Sequence, residues 1–142
     1  MDFNIVISKA AAIRNDAYRI RVAVFVNEQG FRDVPDEIDD YAYHVAVYDG
    51  DKVIGCGRFF AEGNPYEYHI GRIAVLPEYR SKNAGTLIMR KIEEFLKENG
   101  AKKAVLSAQR RALSFYEKIG YTIVGDEFLE QGYPHINMKK DL

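Results

Sequence analysis

The strongest chemical signal in this chain runs from Ile70 to Met89: Ile70-Gly71-Arg72-Ile73-Ala74-Val75-Leu76-Pro77-Glu78-Tyr79-Arg80-Ser81-Lys82-Asn83-Ala84-Gly85-Thr86-Leu87-Ile88-Met89. An apolar strand passes into a polar turn, and an amphipathic helix begins at once. Such a junction aims several free backbone N–H groups at one spot, where the helix dipole adds positive potential. It suits an anion such as a diphosphate, with Arg80 and Lys82 adding charge. An ordinary strand-to-helix connection would read the same way. Two glycine-rich alternatives are excluded, because the chain has neither G-x-x-x-x-G-K-[ST] nor G-x-G-x-x-G.

Other reactive side chains are sparse. The acidic run from Asp33 to Asp40 holds Asp36, Glu37, Asp39 and Asp40; it could draw in a cationic amine or stand as a solvated loop. Cys56 is the only cysteine, which rules out an intrachain disulfide and a cysteine-rich zinc site. It alternates with Ile54 and Arg58 and reads as a small buried residue. His44, His69 and His135 have no metal-ligand spacing, so no metal is expected.

The elements that would position these residues follow from periodicity. Phe3, Ile5 and Ile7 alternate as a half-buried strand does. Ile13, Ala17, Ile20 and Val24 share one helical face, fading near Asn27 to Gly30. The acidic run is a loop with one helical turn after Pro35. His44–Tyr48 and Lys52–Phe60 flank Asp49-Gly50, a hairpin signal, and a strand from Glu67 to Leu76 follows a turn at Glu62 to Pro65. Ile88, Ile92, Phe95 and Leu96 mark a helix closed by Gly100. A buried strand at Ala104–Ser107, a short helix through Phe115 and Tyr116 and two strands at Tyr121–Val124 and His135–Met138 complete the order. The expected fold class is α/β, a mixed sheet with helices on its faces, in one domain over residues 1–142.

Composition agrees with a globular chain: 142 residues, 47% hydrophobic and 13% aromatic, offer enough apolar surface to offset chain entropy. A net charge of -1 gives no basic face for nucleic acid. No apolar run approaches a bilayer span and the first residues do not read as a signal peptide, so the cytoplasm is the expected compartment and no membrane partner is expected.

Arg80-Ser81-Lys82-Asn83-Ala84-Gly85 resembles the pyrophosphate-binding signature of the GNAT acetyltransferases, Q/R-x-x-G-x-G/A, and the preceding Gly-Arg-Ile-Ala-Val-Leu-Pro-Glu-Tyr-Arg resembles their fourth strand. Ala112-Leu113-Ser114-Phe115-Tyr116-Glu117-Lys118-Ile119-Gly120-Tyr121 is similar to their A-x-x-F-Y-x-x-x-G-F/Y motif. The two motifs cover the C-terminal half in the family's order. Asn83 departs from the pattern, standing where the family usually has its first glycine; asparagine is the non-glycine residue that best tolerates φ > 0. The chain also resembles a subgroup of small bacterial GNAT proteins, through Tyr18 to Gly30 (R-x-x-V-F-V-x-E-Q), through Glu37, Asp39, Asp40 and His44, and through Gly132-Tyr133-Pro134-His135-Ile136-Asn137-Met138. Part of the first half also resembles acyl-homoserine lactone synthases, which share the fold.

The resemblance implies the acyl-CoA N-acyltransferase fold, with a mostly antiparallel mixed sheet, and an enzyme that passes the acetyl group of acetyl-CoA to a small-molecule or peptide amine by direct attack. It implies that Ile73, Ala74 and Val75 line the pantetheine arm, that Arg80, Ser81, Lys82, Asn83, Ala84, Gly85 and Thr86 hold the pyrophosphate, and that a backbone N–H near Val75 serves the oxyanion beside a splayed gap. Tyr116 stands at the family's proton-donor position; packing beside Phe115 in the core is its alternative role. His69, or Glu67 on the same strand face, stands where some members carry a general base. Glu28, at the end of the first helix, falls where the family builds its acceptor site; His135, near the last strands, either reaches that site or has a purely structural role. A homodimer is left open. The rival readings are a non-catalytic acyl-CoA-binding module and an acyl-homoserine-lactone-synthase-like enzyme.

Overall fold

In a computed structural model, which describes residues 2–33 and 35–142, one mixed sheet runs through the chain, with helices packed on its faces. Met1 and Val34, part of the N-terminal segment and acidic run read above, lie outside the described residues. The strands are β1 (Asn4–Ser8), β2 (Tyr43–Asp49), β3 (Lys52–Phe60), β4 (Glu67–Val75), β5 (Lys103–Gln109), β6 (Thr122–Glu130) and β7 (Tyr133–Asp141). Among the described residues they form a seven-stranded sheet ordered β1-β2-β3-β4-β5-β7-β6. Every neighbouring pair is antiparallel except β4 and β5. A parallel pair needs a crossover, supplied by helix α2 (Ala84–Glu98).

α2 and helix α1 (Ala11–Arg21) take opposite faces. Ile88, Met89, Ile92 and Leu96 of α2 are buried against Val45, Val47, Ile54 and Phe59. Gly57 allows the close approach: a Cβ there would lie 2.7 Å from the Ile73 Cδ1. Cys56, one residue away and so on the other face, packs with Ala17 and Ile20 of α1, with Val24 just beyond it, and with Ala74. α2 closes in a Schellman motif: Gly100 adopts φ 84, Ala101 N–H donates to Leu96 at 2.9 Å and Gly100 N–H to Lys97 at 3.2 Å.

Several boundaries differ from the sequence reading. α1 does not fade into coil; it widens into a π-helix over Val22–Glu28, with Gln29 N–H donating to Val24 O at 2.9 Å. The acidic run contains a 3₁₀ turn, Glu37–Asp40, closed by reciprocal Asp36–Asp39 capping bonds. The two-residue loop between β2 and β3 is Gly50-Asp51 rather than Asp49-Gly50, and only Gly50 has positive φ. β6 and β7 each reach nine residues, beyond the expected Tyr121–Val124 and His135–Met138. The polar break that hid their length is absorbed by a register shift between Val124 and Phe128, with Gly125 at φ 79. β5 is buried on one face only: Ala104, Leu106 and Ala108 are inside, whereas Ser107 is exposed.

Candidate active site

The site begins where β4 leaves β5. The two strands pair only from Glu67↔Lys103 to Ile70↔Leu106, and β4 then continues to Val75 alone on that side. The divergence coincides with a bulge: β4 shifts register against β3 between Arg58↔Gly71 and Cys56↔Ala74, and Arg72 adopts φ 54. Leu76 N–H donates to Ile54 O at 2.9 Å. By the alternation of an antiparallel ladder, the Val75 N–H and C=O therefore point away from β3, into the gap. A cleft of about 1000 Å³ occupies this gap.

The α2 N-terminus closes one end of it. A 3₁₀ helix, Pro77–Lys82, ends at Asn83, which takes φ 62 and ψ 18, and α2 starts with no side-chain cap. Leu87 N–H returns to Asn83 O at 3.1 Å, leaving the N–H groups of the first turn without helical partners. Arg80, Asn83, Gly85 and Thr86 line the cleft. Ser81 and Lys82 are exposed outside it, and Ala84 is fully buried beneath, so only its backbone could meet a ligand. Gly85 is open toward the ligand side: an added Cβ would meet only the Phe115 ring, at 3.3 Å.

Ile73, Ala74 and Val75 form the β4 wall, and Tyr116, on helix α3 (Leu113–Lys118), faces it across the cleft. The Tyr116 ring meets Phe115 and Tyr121 edge-on, with centroids 5.0 and 5.9 Å away. Protein surrounds the phenol closely enough that burial pushes it up to about 12. His69 lies flat on Phe60, ring centroids 5.3 Å apart, and Glu67 sits 3.5 Å from the Lys103 ammonium. Both line the same cleft.

The two residues assigned to the acceptor are more constrained than their types suggested. Glu28 accepts from both Nη atoms of Arg80, at 2.7 and 2.5 Å, and hydrogen bonding from Arg80 lowers the Glu28 pKa. His135 is buried, donates from Nδ1 to Tyr133 O at 2.8 Å, and holds Nε2 3.3 Å from Glu130. Above it the β6–β7 turn docks on the segment after α1. Gln131 Oε1 accepts from Arg32 N–H at 2.8 Å, Tyr133 Oη donates to Gln29 O at 2.8 Å, and Phe31 packs on Tyr133 with centroids 4.5 Å apart.

Three carboxylates of the acidic run, Asp33, Asp36 and Asp39, are tied up by arginines, while Glu37 and Asp40 stay exposed. Arg21 grips Asp33 through Nε and Nη2 at 2.8 and 2.9 Å and reaches Asp39 at 2.8 Å. Arg58 donates to Asp36 and Asp39, both at 2.8 Å. Burial alone would raise the Asp39 carboxyl, but hydrogen bonds from Arg21, the Asp36 N–H and Arg58 hold it well below the carboxylate range. Arg21 and Arg58 could be read from the sequence as ion-pair partners, but nothing in it named the carboxylates they hold. The available signal was Arg21 itself, four residues from Ala17 on the apolar face of α1. Cys56 stays outside the cleft chemistry: its thiol donates to Arg72 O at 3.2 Å, and burial pushes it up to about 12.

A sequence model of the acetyltransferase (GNAT) domain matches residues 11–142. The chain belongs to the GNAT acetyltransferase family. The uncharacterized N-acetyltransferase YjcF of Bacillus subtilis (strain 168) is 37% identical over 96% of this chain and 98% of its own length. The crystal structure of a Lactobacillus plantarum protein superposes with a TM-score of 0.91 at 27% identity, covering 100% of this chain and 99% of that one. A GNAT family acetyltransferase from Elizabethkingia anophelis, solved with acetyl-CoA bound, shares the fold at a TM-score of 0.72 and 16% identity, with 99% and 98% covered. The GNAT assignment makes the protein an acetyltransferase, and acyl-CoA-dependent transfer its class of reaction.

Proposed function

We propose that this protein moves an acetyl group from acetyl-CoA to an amine by direct attack, both substrates being held together in the cleft beside β4. The observation that carries the reading is the free edge of β4. It places the Val75 N–H in a gap bounded by an uncapped helix N-terminus on one side and Tyr116 on the other.

The first-turn N–H groups of α2 at Ala84, Gly85 and Thr86 hold the diphosphate, with the Arg80 guanidinium at the mouth. The edge of Ile73 to Val75 pairs with the pantetheine arm as a missing strand would, and the Val75 N–H faces the carbonyl oxygen as negative charge grows on it. The amine nitrogen forms its bond to the acetyl carbon as the C–S bond breaks. The surplus ammonium proton passes to His69, with Glu67 as the alternative acceptor on that wall, and sulfur takes a proton from Tyr116. A phenol near 12 remains protonated throughout the working range. Its transfer to a thiolate of ordinary pKa, ~8.5, would be uphill, but the same desolvated pocket raises the thiol as well.

The reading is tested by incubating the protein with acetyl-CoA and a library of amines while following thiol release. Turnover with any amine supports it. Stabilisation by acetyl-CoA without turnover across the library would favour a binding module instead. Consumption of S-adenosylmethionine would favour a lactone-synthase-like reaction.

A further inference from the structure

Arg72 is one of three non-glycine residues lining the cleft that adopt positive φ, with Asn83 and Gln131, and the only one of them inside a strand. A non-glycine residue at φ 54 inside a strand is strained, and such residues persist where the surroundings over-determine them. Here the constraint is visible. The Arg72 Nε donates to Asp33 Oδ1 at 3.2 Å, and the Asp33 side chain, 4% exposed, is itself gripped through two bonds by the equally buried Arg21 side chain. Arg72 Nη2 stays 3.9 Å from Asp36, beyond hydrogen-bond reach, and the Arg72 side chain is 35% exposed. The guanidinium is thus oriented through one N–H, while its Nη donors have no acceptor among the described residues and the side chain lines the cleft. Asp33, Asp36 and Asp39 are all engaged by arginines. Beside Arg72 an incoming ammonium finds Asp33 and Asp36 already engaged by arginines, whereas an incoming carboxylate finds a preset, fork-shaped donor. Arg72 stands three residues before Val75 on β4, at most about 10 Å of strand, and both line the cleft.

We propose that the acceptor amine of this enzyme also carries a carboxylate, and that Arg72 binds it. The inference rests on the acyl-transfer reading for the amine's role and names the acceptor class as amino acids and related amino-carboxylates. The carboxylate docks on the Nη edge of Arg72, which leaves the amine directed along β4 toward the Val75 N–H.

The test uses matched sets of three compounds: an amino acid, its methyl ester, and the amine lacking the carboxyl group. The ester's amine is less basic and more of it is neutral at a given pH, so a preference for the acid runs against that bias. Wild type should favour the acid by about tenfold or more in kcat/KM, chiefly through KM, as expected for a charge-assisted bidentate contact. Arg72→Asn, which tolerates φ > 0, should erase the preference and leave acetyl-CoA affinity unchanged; Arg72→Lys should restore it in part. A second readout needs no turnover: amino acids, but not their esters, should raise the melting temperature of wild type and not of Arg72→Asn. Equal response to acid and ester, or a preference that survives Arg72→Asn, overturns the proposal. Weakened acetyl-CoA binding in Arg72→Asn would assign Arg72 to the cosubstrate and overturn it too. Failure of acetyl-CoA to stabilise wild type strikes the acyl-transfer reading alone, because the amino-acid shift is measured without it.

Discussion

The Arg80 guanidinium joins the two halves of the cleft: its Nη atoms donate to Glu28 at the end of the π-helix, and its Nε donates to Val75 O at 3.0 Å. Both side chains are partly exposed, 43% and 37%, so the pair contributes little stability by itself, about 0–1 kcal/mol. Its importance is competition. If the diphosphate takes Arg80, it must displace Glu28. Glu28→Gln should therefore tighten acetyl-CoA binding by up to about fivefold, the equivalent of such a pair. Titration calorimetry at low salt reads this directly. Unchanged or weaker binding would mean that Arg80 keeps Glu28 in the complex.

Asn83 and Gly85 make separable predictions. Asn83 holds the left-handed conformation that turns the 3₁₀ helix into α2. Asn83→Gly should preserve acetyl-CoA affinity, whereas Asn83→Val should lose about 1–2 kcal/mol of stability, the cost of a bulky side chain at positive φ. Gly85→Ala has only the Phe115 ring to push aside and should fold. Gly85→Glu should fold but lose the melting-temperature rise given by acetyl-CoA, by setting a carboxylate against the diphosphate. A folded Gly85→Glu protein that is still stabilised like wild type would remove the loop from the binding site.

Tyr116→Phe keeps the ring that packs on Phe115 and Tyr121 and removes one hydroxyl. Turnover should fall by ~10²-fold or more, in kcat rather than KM, because the proton is needed only as the C–S bond breaks. With the phenol near 12, the rate profile of wild type should show no falling limb from this group below about pH 10. The loss should shrink with an acyl donor whose thiol leaves more readily. An unaltered kcat would take Tyr116 out of the mechanism.

The buried arginine–aspartate cluster predicts how the protein yields to acid. Asp39 and Asp33 have folded pKa values held below their ordinary ones, so the stability they contribute is present above about pH 4 and is lost as pH falls through the folded values. The His44 pKa is lowered by burial, and its Nε2 donates to Asp39 O at 2.9 Å. The unfolded chain binds that proton first, so stability begins to fall below about pH 6.5. Asp39→Asn should cost about 3–5 kcal/mol at neutral pH by leaving buried guanidinium charge uncompensated. The gap from wild type, measured by urea unfolding, should narrow below about pH 4; a gap constant from pH 7 to pH 3 would contradict it.

Local pattern made some of this legible before any coordinates and left other parts dark. The strand–turn–helix around Asn83 was visible because φ > 0, helix start and positive charge all leave marks within a few residues. Ile88, Ile92 and Leu96 announced the α2 face through their spacing alone. The pairing of Arg21 with Asp33 and Asp39 was not legible, because it joins a helix to a loop through side-chain geometry that no period records. The same holds for the Arg80–Glu28 bond, which spans 52 positions. Nothing in Gly71-Arg72-Ile73 warns that the arginine adopts φ 54, since non-glycine residues there carry no compositional mark. The full length of β6 and β7 escaped because Gly125-Asp126-Glu127 looks like a turn when read in isolation.

The short seam between β4 and β5 has a mechanical consequence. Four paired positions join the sheet of β1 to β4 to that of β5 to β7, and beyond them the molecule resembles a board split along its grain. An extended ligand laid into that split would act as a splint, supplying rungs that the chain itself omits. Amide exchange along Ile73 to Val75 and the facing half of β5 should then slow together when the cleft is filled, two half-sheets that open separately becoming one body that opens as a whole.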